Sequence, residues 1–118
     1  MVFMAIGILG GSARGTSYVD YDITISAKTG EASNWTLSTP NGQTCYTQTI
    51  LTSDISPNLY IDGNTDFQLI PRMETITQWG LEQFGWLSAA ESTAEGIKVY
   101  SMTGQPSFDI PVTLRVMM

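Results

Sequence analysis

Two stretches of strict two-residue alternation, one near each end of the chain, constrain its fold more than any other feature. In Val19-Asp20-Tyr21-Asp22-Ile23-Thr24-Ile25-Ser26-Ala27 the odd positions are apolar and the even ones polar. Toward the C-terminus Phe108, Ile110, Val112, Leu114 and Val116 alternate with Asp109, Pro111, Thr113, Arg115 and Met117. A strand points successive side chains to opposite faces, so this period belongs to half-buried β-sheet.

Between these ends, short runs rich in Thr, Ile, Leu and aromatic residues recur at intervals of roughly ten residues. Trp35 to Ser38, Gln43 to Leu51, Phe67 to Ile70 and Ile97 to Tyr100 read as strands. Leu59-Tyr60-Ile61 reads as another, joined to Phe67 by a hairpin over Asp62-Gly63-Asn64-Thr65. Thr75 to Gln78 and Gln83 to Leu87 read as short strands on either side of a sharp corner at Gly80. Ser88 to Gly96, with Ala89, Ala90 and Glu91, is the one segment where a helical turn fits. Pro111 lacks an amide proton, which predicts an edge or a bulge. The count comes to about eight to ten strands, the pattern of an all-β sandwich or barrel.

The first nine residues of this 118-residue chain carry no charged or polar side chain. They are too few to span a bilayer, which takes about twenty, and no basic segment precedes them as in a secretory signal. Gly10-Gly11-Ser12-Ala13-Arg14-Gly15 then reads as a flexible linker. The chain therefore divides into an apolar arm and linker over 1–15 and a β-domain over 16–118. Such an arm has three places to dock: its own sheet, a neighbouring subunit or a lipid surface. Met1, Val2, Phe3, Met4, Ile6, Ile8 and Leu9 are its candidate assembly contacts.

Charged residues make up only 14% of the chain, with Ser, Thr, Asn, Gln and Gly supplying most of the polarity. Hydroxyl- and amide-rich surfaces lose little by desolvation when they meet other proteins. The net charge is −6 and the five bases are scattered, so the basic stripe that nucleic acid requires is missing. There is no histidine and one cysteine, Cys45. That removes the usual general base and any intrachain disulfide, and leaves Cys45 as a small buried hydrophobe.

No catalytic residue, metal site or cofactor is expected. Asp20 and Asp22 share a face, and Asp62 to Asp66 is acid-rich, but neither supplies a calcium ligand set. Asp66 beside Phe67, and Glu82 near Trp86, have the composition of a glycosidase platform without a fixed carboxyl pair. Asn34-Trp35-Thr36 is a formal glycosylation sequon. Trp79, Phe84 and Trp86 read as core, while Tyr60, Trp79 and Tyr100 are also the aromatics that a surface-recognition role would use.

From Asn58 onward the order of features is familiar. Leu59-Tyr60-Ile61-Asp62 with Gly63-Asn64, then Phe67-Gln68-Leu69-Ile70, then Thr77-Gln78 and Gln83-Phe84-Gly85-Trp86-Leu87, precede Ile97 to Gly104 and Ile110-Pro111-Val112-Thr113-Leu114-Arg115-Val116. This succession resembles the vertex (penton) and related minor capsid proteins of tailless, lipid-containing icosahedral phages. The chain departs from that pattern where Gly63 precedes Asn64 and where Trp79 follows Gln78. The resemblance implies a single jelly-roll sandwich with an extended N-terminal arm, and a structural, non-enzymatic role in the virion capsid. It further implies partners among copies of itself and other capsid proteins, with an internal lipid membrane within reach. The alternative on the residues is a carbohydrate- or receptor-binding sandwich of a phage fibre or tail.

Overall fold

The computed structural model describes residues 9–10, 17–29 and 33–117. The arm positions Met1, Val2, Phe3, Met4, Ile6 and Ile8 lie outside them. Eight strands form two four-stranded antiparallel sheets. They are β1 (Leu9–Gly10), β2 (Tyr18–Ile25), β3 (Thr36–Ser38), β4 (Cys45–Leu51), β5 (Phe67–Pro71), β6 (Leu87–Ser92), β7 (Gly96–Ser101) and β8 (Ile110–Met117). The first sheet runs β1-β5-β8-β2 and the second β3-β4-β7-β6. Two short helices, α1 (Thr52–Ile55) and α2 (Gln78–Phe84), complete the described elements with a 3-10 turn at Pro40–Gly42.

Pairing is nested. β2 pairs with β8 along its whole length in one sheet, and β4 pairs with β7 in the other. A ribbon of two chain segments thus wraps from one layer to the next, in the manner of a jelly roll. Here it is shortened to two rungs, with β5 and β6 each adding beside the returning strand. Of the arm's candidate contacts, Leu9 is described: it pairs with Leu69 on β5.

The alternations sort as their period requires. Ile23, Ile25, Ile110, Val112, Leu114 and Val116 are buried between the sheets with Leu69, Leu87, Ile97 and Val99. Asp20, Asp22 and Arg115 line the outer face. Two amides cross the core boundary. Gln48 on β4 accepts from Ser26 N at 2.8 Å and donates to Ser26 O at 3.0 Å, so one buried side chain joins the second sheet to the end of β2. The Trp35 indole donates to the same carbonyl at 3.0 Å. Buried polar groups persist only when their bonds are made, and these are.

Four local expectations fail, each for a tertiary reason. Leu59-Tyr60-Ile61 is not a strand, because β1 and β8 already occupy both edges of β5. Asp62 instead closes a turn: its carboxylate accepts from Asn64 N at 2.8 Å and its carbonyl from Thr65 N at 3.2 Å. The corner at Gly80 is inside helix α2, whose start is capped by the Thr77 hydroxyl accepting from Gly80 N at 2.9 Å. Gly80, Gln83 and Phe84 form its buried stripe, the spacing of one helical face. The Ala-rich segment expected to turn helically is β6, where Ala90 meets Val99 and Glu91 meets Lys98 across the ladder; sheet pairing overrides a weak propensity. Pro111 lies near the start of the inner strand β8, not at an edge or bulge.

Candidate functional site

The layers do not close at one end of the sandwich. Val19 and Tyr21 at the start of β2, Val116 and Met117 at the end of β8, and the loop 58–66 border an open groove of about 630 Å³. Its apolar surface comes from Val19, Leu59, Val116, Met117 and the rings of Tyr21 and Tyr60. Its polar rim is Asn58, Asn64, Thr65 and Asp66. The loop is held by the Asp62 turn, by Asp62 N donating to Thr65 Oγ1 at 3.0 Å, and by Ser92 Oγ donating to Thr65 O at 3.1 Å. Ile61 is buried in the core and anchors the segment, leaving Tyr60 beside it 78% exposed. The amide groups of Asn58 and Asn64 make no hydrogen bond among the described residues.

Trp79 lies elsewhere. It stacks on Phe108, ring centroids 5.8 Å apart and planes 18° from parallel, with the two residues 56% and 40% exposed. Gln83 fixes this pair from below: its carbonyl accepts from Ser107 N at 2.8 Å and Phe108 N at 2.9 Å, and its amide donates to Ser107 Oγ at 2.9 Å. Phe108 precedes β8 while Tyr60 faces its far end, a separation of roughly 23 Å along the strand. Phe84 is fully buried, whereas Trp86 is half-buried.

Tyr100 occupies a third place, on the second sheet. Its hydroxyl donates to Glu91 at 2.6 Å, and Lys98 Nζ stands 5.3 Å from the ring centre. The bond to the Glu91 carboxylate favours the neutral phenol, and its pKa is pushed up to about 12 from 10.0. A raised pKa contributes stability that is complete below pH 10 and lost as pH climbs toward 12. Tyr100→Phe is expected to delete a tyrosinate absorbance step near pH 12, and with it the fall in unfolding midpoint across that window. Loss of a step near pH 10 instead would show that the Glu91 contact does not persist in solution. The aromatics Tyr60, Trp79 and Tyr100 thus occupy separate surfaces and form no single platform.

The acidic candidates are engaged locally. Arg115 grips Asp20 through two bonds of 2.9 and 3.0 Å and lies 3.9 Å from the Tyr18 ring centre. The Arg115 hydrogen bond holds the Asp20 carboxyl below its ordinary value. Asp22 faces Arg72 at 3.9 Å. Phe67 points into the core while Asp66 borders the groove, so the two share no face. Asn34 of the sequon donates its amide to Ala27 O at 2.8 Å. Cys45 is buried and unpaired. Among the described residues no three His, Cys, Asp or Glu side chains converge, and no helix is long and apolar enough to cross a membrane.

Sequence reasoning singled out Tyr60 but not Asn58 and Asn64, which share the groove with it. The signal was present in the chain: turn-forming residues on both sides of Leu59-Tyr60-Ile61 leave Tyr60 at the surface while Ile61 turns inward. Comparison with known proteins finds no matching family model, no matching curated protein and no matching solved structure.

Proposed function

We propose that this chain is a structural subunit of a virion shell, a vertex or minor capsid protein that works by packing against its neighbours. The observation that carries the reading is the nested pairing of β2 with β8 and of β4 with β7 in opposite sheets. It agrees with the jelly-roll wrapping that the resemblance of residues 58–116 implies. Low charge and an apolar leading segment suit a molecule whose surfaces are covered by others.

The arm supplies the test. Among the described residues the buried core cluster runs from Ile23 to Val116; removing residues 1–15 is expected to leave the sandwich folded and abolish assembly. The loss of the two-residue β1 costs one edge rung of the first sheet. Native mass measurement and circular dichroism of the full and shortened chains separate the two effects. A full-length chain that stays monomeric at high concentration, indifferent to the deletion, would overturn the proposal.

A further inference from the structure

We propose that the groove between the start of β2, the end of β8 and the loop 58–66 seats the apolar arm, residues 1–8, of a neighbouring copy. The inference rests on the assembly role proposed above and names the contact through which assembly works. Along β2 the inward-facing row loses its cover step by step: Ile25 and Ile23 are buried, Tyr21 is half-buried and Val19 is 39% exposed. Val19 pairs with Val116 on β8, so these side chains carry the core out to the groove. Leu59, Met117 and the Tyr60 ring extend the same apolar lining. Apolar surface at the margin of a core gains by being covered.

Composition and direction identify the occupant. Residues 1–8, with Val2, Phe3, Ile6 and Ile8 among them, carry no charged or polar side chain. β1 runs antiparallel to β5, with Leu9 opposite Leu69 and Gly10 opposite Gln68, so its N-terminal end faces Ile70 and Pro71. The groove lies at the other end of β5, where Phe67 is level with Val116. Entering its own groove would require the arm to double back along β5. A copy set beside this one in the reverse sense presents its groove directly. Eight extended residues reach at most roughly 29 Å, well over the ~10 Å between two sheet layers, so the arm is long enough to cross a groove on a neighbour. Each copy gives one arm and receives one, which any closed rotational assembly permits.

The experiment places p-benzoylphenylalanine in place of Phe3 in the full-length chain, mixes isotopically labelled and unlabelled copies, and maps the photocrosslinks by mass spectrometry. We expect crosslinks between labelled and unlabelled copies, running from the arm to residues 58–66 or 116–117. Tyr60→Ser and Val19→Asp, both at exposed positions, should each weaken self-association by about tenfold or more in sedimentation, with circular dichroism unchanged. An assembled protein whose crosslinks stay within one copy, or reach any other surface of the neighbour, would overturn the proposal. So would assembly undiminished in both variants. Either result sinks the groove as the seat of the arm and leaves the role as a shell subunit standing, whereas a chain that stays monomeric at every concentration removes both.

Discussion

Gly96→Ala is expected to cost on the order of 3–5 kcal/mol, the upper range for a single substitution. Gly96 opens β7 with φ +157, a backbone setting that L side chains rarely adopt. A Cβ placed there would overlap the carbonyl oxygen of Ile50 and stand 3.0 Å from Leu51 Cα. Both obstacles are backbone, so no rotamer change relieves them. The surrounding chain cannot retreat either. Thr93 Oγ1 accepts from Gly96 N at 3.2 Å and donates to Gly96 O at 3.2 Å, while Thr52 N donates to the neighbouring Glu95 O at 2.9 Å. Urea unfolding reads the effect as a lowered midpoint at constant slope. A loss below about 1 kcal/mol would mean that β4 and β7 separate more easily than their ladder implies.

Phe84→Ala is the second large effect, about 3–5 kcal/mol for truncating a fully buried aromatic ring. Its position sharpens the expectation. Helix α2 has seven residues, too few to stand alone in water, so packing holds it in place. Phe84 supplies the largest apolar part of that packing, and Gln83 beside it carries the bonds to Ser107 and Phe108. Loosening the helix should therefore release the Trp79–Phe108 stack before the sheets unfold. Tryptophan emission is expected to change at lower denaturant than the far-ultraviolet dichroism of the strands. Coincident transitions would show that α2 and the sandwich melt as one unit.

The parts of the fold legible in the sequence are those whose pattern is local. In β2 and β8 every second residue goes inward, and reading either strand alone suffices to assign its faces. What could not be read depends on partners distant in the chain. Leu59 to Ile61 have strand composition, yet no free edge of β5 remains for them. Ala89 and Ala90 favour helix by themselves, but Val99 and Tyr100 are already extended beside them. Helix α2 was hidden by its glycine, although Thr77 as cap and the 80/83/84 spacing were both on view. The groove divides in the same way. Tyr60 was identifiable as an aromatic amid turn formers, whereas Asn58 and Asn64 resembled ordinary turn chemistry until the open end of the sandwich gave their amides a shared space.

The long strand at the open margin of the first sheet has a consequence for how copies can meet. β2 bonds to β8 on one side, and among the described residues its other side ends the sheet over eight residues, the kind of border that invites endless ribbons. Asp20 and Asp22 stand on that border two residues apart. Two such margins laid antiparallel would bring four carboxylates together, Asp20 of each copy bonded to Arg115 and the more exposed Asp22 standing 3.9 Å from Arg72. Like charges across a ladder oppose pairing, so the exposed Asp22 carboxylates work against open-ended ribbons grown along this margin.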